Sequence, residues 1–242
     1  MSSQAEDQRV PGTGEDEPLL GRVGDASQQE GKPLYYNFII GTAVIAQAGA
    51  WILAAIIWGS VFSHPLMLFS AHPLLNSAAL LVLTQGILIL QPTHTKEQKK
   101  VGTWNHAALN EVALAAGVAG LVIIEYNKIS HGGTHFVSTH AILGLTTYIL
   151  LFVQAFVGAT QYFVPALYGG QANAKKLYKY HRLSGYVVLV LMMATVAAAT
   201  QTDFNKNVMK IQLWAVLTAS AITLIGVLPR IKKQKFGWLA GA

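Results

Sequence analysis

Eight histidines and no cysteine stand among 242 residues. Without thiols, disulfides, zinc ribbons, iron–sulfur clusters and cysteine nucleophiles are excluded together. Four of the histidines, His72, His106, His140 and His181, fall inside long apolar stretches. An ionisable side chain in such a stretch is costly and marks function by default. A neutral imidazole is a metal ligand, and two imidazoles on facing helices can take both axial positions of a haem iron, a kind of site that helical bundles build in their cores. Zinc would ask for further carboxylate or thiolate ligands, and Glu111 and Glu125 are the only acids in these stretches. Any one of the histidines alone is better explained by a hydrogen bond to a neighbouring helix. It is their arrangement that carries a metal reading.

The elements that must position them follow from composition. Apolar residues make up 52% of the chain and charged ones only 12%, about half the charge of an ordinary soluble domain. Ten of the 28 charged residues sit in residues 1–34, so the remainder is poorer still. That surface excludes a soluble globular domain and a nucleic-acid binder, despite a pI near 9.5. Residues 1–34 are rich in Gln, Gly, Asp, Glu, Ser and Pro and read as a disordered tail, with no signal-peptide pattern. Within the tail, Glu15-Asp16-Glu17-Pro18-Leu19-Leu20 fits an acidic dileucine sorting signal, or simply two leucines in acidic disorder.

From Tyr35 the chain becomes six apolar blocks, about 35–59, 67–90, 104–125, 136–161, 178–200 and 208–229. Each is long enough to cross roughly 30 Å of hydrocarbon. Turn chemistry separates them, as at Gln91-Pro92, His131-Gly132-Gly133 and Tyr168-Gly169-Gly170. No sequence repeat beyond the spacing of the histidines is visible. The expected fold is an all-α membrane protein of six transmembrane helices, closed by a short basic tail at 231–242.

Basic residues orient it. With six spans, the termini and the 2–3 and 4–5 connections share one side, which collects 14 of the 17 Lys and Arg residues. The excess assigns that side to the cytosol, so both termini are expected there. His72 and His140 open spans 2 and 4 at the opposite face. His106 and His181 lie a turn or two into spans 3 and 5 from the cytosolic face. The topology therefore sorts the four histidines into two depth-matched pairs.

The runs Ser70-Ala71-His72-Pro73-Leu74, Trp104-Asn105-His106, His135-Phe136-Val137-Ser138-Thr139-His140 and Tyr180-His181-Arg182-Leu183-Ser184-Gly185 resemble the cytochrome b561 family. The resemblance covers residues 35–230 and includes the number, order and span placement of all four histidines. Leu88-Ile89-Leu90-Gln91-Pro92 and Ser138-Thr139-His140-Ala141-Ile142 depart from the ascorbate-dependent branch and look more like the shorter "cytochrome b561 domain-containing" branch. The resemblance implies two b haems in a central bundle of helices 2–5. His106 and His181 would ligate the cytosolic haem iron, and His72 and His140 the iron on the other side. It further implies transmembrane electron transfer, an oxidoreductase activity from cytosolic ascorbate to monodehydroascorbate or a ferric chelate.

Asn76 and Asn110, one turn after His72 and His106, could satisfy polar groups near the ligands or bond between helices. Arg182 and the lysines about it suit anions. Lys100, six residues before His106, and Lys176 are candidates to contact ascorbate, although positive-inside topology alone would put lysines there. His135, five residues before His140, is a candidate at the opposite mouth for a proton or a ferric chelate, with His131, Tyr126 and Lys128 in reach. His64 and His94 read as loop residues. The competing reading is a divalent-metal or proton transporter using intramembrane His and Glu, which would cluster its charges at the midplane. The lipid bilayer is an implied partner, a homodimer is compatible with the resemblance, nucleic acid is not expected, and the dileucine-like tail favours an endomembrane over the plasma membrane.

Overall fold

The computed structural model describes residues 26–232. Among them the chain is helical without strands, in six long helices: α1 (Ala43–Phe62), α2 (Ala71–Leu90), α3 (Lys96–Ser130), α4 (Thr139–Phe163), α5 (Gln171–Ala199) and α6 (Leu213–Val227). Six helical segments are long and apolar enough to cross a membrane. The outward side chains agree: Val122, Phe156 and Trp214 are 60%, 66% and 69% exposed. Apolar exposure on that scale suits hydrocarbon rather than water. The chain is an all-α, multi-pass membrane protein. The dileucine-like motif and most of the basic C-terminal tail lie outside the described residues.

Two of the spans are longer as helices than their apolar blocks. α3 runs for 35 residues, because Thr95 caps it: the Thr95 hydroxyl accepts from the Gln98 amide at 3.2 Å while Gln98 Oε1 accepts from Thr95 N at 3.4 Å. The polar segment Lys96–Thr103 is thereby helical too. α5 begins at Gln171, directly after Gly169 and Gly170, whose φ values of +77° and +105° end the 3-10 turn Pro165–Tyr168 that follows α4. His106 and His181 consequently stand ten residues beyond Lys96 and Gln171, where their helices begin, rather than a turn or two from a helix start. The first block is shorter than expected. Residues Leu34–Phe38 form a 3-10 turn, and α1 starts only at Ala43.

The helices pack as three antiparallel pairs. In the α1/α6 pair, Gly49 lies against Thr223 and Gly226 against Ala46 so closely that any Cβ would collide; small residues let transmembrane backbones approach in this way. This pair leans on α2, where Trp58 Nε1 donates to Ser77 Oγ at 2.8 Å. The other pairs are α2/α3 and α4/α5. They touch each other sparsely: half of the apolar window of α2 is buried inside the protein, against 6% for α4.

Arg230 fastens one end of the assembly. It is buried, and its guanidinium donates to Gln91 Oε1 (2.9 Å) and to the carbonyls of Asn37 and Leu88 (both 3.2 Å), with a further bond to the Ile40 carbonyl. A residue that reads in the sequence as a topological marker thus ties the N-terminal turn to the ends of α2 and α6.

Candidate functional site

The four span histidines sit on the helices flanking the seam between the two hairpins, one on each of α2, α3, α4 and α5. His72 and His140, from α2 and α4, face each other with ring centroids 6.1 Å apart and planes at 85°. At the other end, His106 of α3 and His181 of α5 are within electrostatic reach of each other. The structure shows a ring contact for the His72/His140 pair.

Three of the rings are held alike. His72 Nδ1 lies 3.0 Å from the Gly120 carbonyl, His106 Nδ1 2.7 Å from that of Gly86, and His140 Nδ1 2.9 Å from that of Thr195. A carbonyl can only accept, so each Nδ1 carries the proton and each Nε2 keeps its lone pair. This is the arrangement that orients a metal-binding histidine. His181 differs: its Nδ1 is buried without a partner, and its ring fills the space beside Gly158, where a Cβ would come within 2.6 Å of Cε1. Its hydrogen bonds are through the backbone instead, its carbonyl accepting from Gln154 Nε2 at 2.6 Å and from Ser184 Oγ at 3.1 Å.

These residues fit haem. Two imidazoles on opposite sides of a metal, at the roughly 2.0–2.1 Å metal–nitrogen distance usual for histidine, have centroids about 6 Å apart. The His72–His140 separation meets that figure. The donor set does not suit zinc: among the described residues, no group of three or more His, Cys, Asp or Glu side chains is placed to hold a metal.

The sequence hid how the rings are supported. Asn76 Nδ2 donates to the His72 carbonyl at 2.9 Å and lies 3.3 Å from His72 Nδ1; Asn110 repeats this on His106 at 2.6 and 3.2 Å. Each amide fills the hollow beside the glycine that accepts its histidine, so a Cβ on Gly120 would meet Asn76 at 2.5 Å and one on Gly86 would meet Asn110 at 2.6 Å. The unit is His-x3-Asn-x9-Gly, present as His72/Asn76/Gly86 and again as His106/Asn110/Gly120. Because α2 and α3 run antiparallel, the histidine of each copy uses the glycine of the other. The signal was a constant offset of 34 positions, a repeat that the sequence reading did not detect. The two roles left open for the asparagines are both realised, since Asn76 also accepts across the bundle from Tyr148 (2.5 Å).

The remaining candidates are spread over the two ends. Lys100 and Lys176 are exposed on the second turns of α3 and α5. Arg182 is half-buried within electrostatic reach of His181 and Tyr186. Tyr186 in turn accepts from Gln91 Nε2 at 3.0 Å, and Gln91 Oε1 receives Arg230. This cationic assembly beside the His106/His181 end was not anticipated as a unit. At the opposite end, His135 Nδ1 pairs with Glu125 Oε2 at 3.0 Å, which gives one of the two span acids a partner. Lys128 donates to the Thr134 carbonyl (2.9 Å), and His131 bonds within its own helix end. His64 sits at the end of α1 against the Ser60 carbonyl (2.8 Å) and His94 in the α2–α3 connection, as loop residues do.

Comparison with known proteins agrees with this geometry. The family model described as eukaryotic cytochrome b561 matches residues 64–207, which contain all four histidines. Proteins named transmembrane ascorbate-dependent reductase CYB561 are similar over much of the chain. The Pongo abelii protein is 26% identical over 174 residues, covering 70% of this chain and 67% of its own. The Homo sapiens protein is 26% identical over 167 residues, covering 67% and 64% respectively. The chain thus spans about two thirds of the length of the curated relatives it matches. The match covers α2 to α5 and every ligand candidate, and this chain belongs to the eukaryotic cytochrome b561 family.

Proposed function

We propose that the protein carries electrons across a membrane through two bis-histidine b haems, from cytosolic ascorbate to monodehydroascorbate or a ferric chelate on the opposite side. The observation that carries this reading is the 6.1 Å separation of the His72 and His140 rings, with Nδ1 of each turned to a backbone carbonyl. His72 and His140 would hold one haem, His106 and His181 the other. Bound haem supplies a one-electron couple whose potential is set by its axial pair, hydrogen bonds and burial.

The chain's own residues supply the rest. The carbonyls of Gly120, Gly86 and Thr195 fix tautomer and ring direction, which keeps Nε2 available. Apolar side chains, among them Leu83, Leu151 and Met192, line the seam between the pairs and disfavour water there. Fourteen of 17 basic residues on one side support a cytosolic assignment of the His106/His181 end and of both termini. There Arg182 suits a haem propionate, and Lys100 and Lys176 give an anionic donor its cationic mouth. The names of the curated relatives support ascorbate as that donor. At the other mouth His135, paired with Glu125, is the acceptor-side candidate. Residues 1–34 and 231–242 flank the b561 domain as tails.

A reduced-minus-oxidised spectrum of the purified protein, with haem counted per chain, tests the reading. Two haems and an α band are expected, and His106→Ala should retain one. No α band ends the reading; loss of neither haem in the variant refutes the assignment of His106. If ascorbate reduces the protein no faster than it reduces Lys100→Ala, the cytosolic donor site is wrong.

A further inference from the structure

Tyr148 stands on α4, eight residues beyond His140, in the seam between the two histidine pairs. Its ring lines a central cavity with Leu83, Ala113, Gly117, Leu151 and Met192. These neighbours are apolar, and a phenol hydroxyl buried among them is costly unless bonded. Tyr148 meets the requirement by reaching across to the other hairpin, 2.5 Å from Asn76 Oδ1 and 3.0 Å from the Gly117 carbonyl. With one proton to give and the amide oxygen nearer, the hydroxyl donates to Asn76. Asn76 Nδ2 then donates to the His72 carbonyl at 2.9 Å and lies 3.3 Å from His72 Nδ1. A single polar chain, Tyr148 to Asn76 to His72, joins α4 to the α2/α3 hairpin. Asn110 makes the matching contacts to His106, but among the described residues no hydroxyl reaches its Oδ1.

We propose that Tyr148 is a positioning residue for the His72 site: by locking the Asn76 amide it sets the electrostatic surroundings of His72 alone, and so distinguishes two ligand sites that the α2/α3 repeat would otherwise make equivalent. The amide presents the positive end of its dipole to the His72 ring. That disfavours further positive charge at the ligand and holds the potential of the His72/His140 haem up. The inference rests on the two-haem reading.

The test is a redox titration with low-temperature electron paramagnetic resonance on the full-length protein, its haems incorporated during expression. In Tyr148→Phe, two haems per chain are retained. One midpoint potential falls and the low-spin signal of the same haem moves, while the other haem keeps both. In a His106→Ala background, which leaves the His72/His140 haem, the shifted signal is the one that remains. Asn76→Ala gives a shift of the same sign, and the double variant goes no further than the larger single one, because the two residues act as one chain. A packing role alone would lower the melting temperature without singling out one haem. Unchanged potentials in Tyr148→Phe, or equal movement of both, overturn the proposal. A wild-type protein without haem overturns the two-haem reading itself and the proposal with it.

Discussion

At the end of the bundle where α2 and α4 begin, both histidines turn Nδ1 to a carbonyl; at the other end His106 does and His181 does not. The α2/α3 hairpin treats the two ends identically, through its repeated His-x3-Asn-x9-Gly unit. All of the asymmetry comes from α4 and α5: Thr195 behind His140, Gly158 and an orphaned Nδ1 at His181, Arg182 beside it, and Tyr148 leaning to one side only. Each hairpin supplies two of the four histidines, and the α4/α5 hairpin makes the two ends different. A metal-ligating imidazole bonded through Nδ1 is a more basic ligand than an unbonded one, so under the two-haem proposal the two ends would differ in potential even before the charge of Arg182 is counted.

The strongest way to break this comparison is at Gly158. A methyl there would stand 2.6 Å from His181 Cε1, whereas at Gly144 it would meet Thr195 Cγ2 at an ordinary 3.7 Å. Gly158→Ala is therefore expected to lose the His106/His181 haem and Gly144→Ala neither, as haem per chain will report. Next come the two glycines of the repeat. Gly120→Ala and Gly86→Ala should each weaken haem retention at one end only, His72 and His106 respectively, by about 10–100-fold as outer contacts to metal ligands commonly do. If both variants affect the same haem, the crossed use of the repeat is wrong. A smaller side chain should compensate, so Gly120→Ala with Asn76→Ala recovers part of the loss.

A smaller, global effect is expected from Arg230→Met. It leaves Gln91 and the carbonyls of Asn37, Ile40 and Leu88 without their donor, at a cost of about 2–4 kcal/mol of stability, read as a lower melting temperature with both spectra intact. The smallest is Glu125→Gln. It alters a His135–Glu125 contact whose side chains are more than a third exposed, so stability should hardly change, while the rate of reoxidation by an acceptor changes if His135 serves that mouth. An unaltered rate would remove His135 from the acceptor side.

Much of this was legible in the sequence, for reasons that particular residues make plain. Six spans follow from hydropathy because lipid demands a minimum apolar length of every spanning segment, and the histidines were conspicuous because an imidazole in an apolar span is rare. The extents of α3 and α5 were less legible. Lys96–Thr103 is polar and drops out of an apolar block, although Thr95 and Gln98, the capping box, were there to be read. The supporting contacts were legible least of all. A carbonyl acceptor such as that of Gly120 has no side-chain signature, and the asparagines were visible only as polar residues one turn from a ligand. Their pairing with Gly86 and Gly120 depends on two helices running antiparallel, which the 34-position offset encodes but no local window reveals. Tyr148 looked like any aromatic residue in a span, since its partners lie 72 and 31 positions away.

Arg230 also bears on the order in which the molecule is finished. It is translated after all six spans, yet the groups it satisfies belong to residues 37, 40, 88 and 91. Until the ribosome has passed the last span, the N-terminal turn and the end of α2 lack that donor, and a nascent chain with five helices in place has an unsealed corner. Closure of that corner therefore waits for the end of α6, and it joins that end to the N-terminal turn and the end of α2.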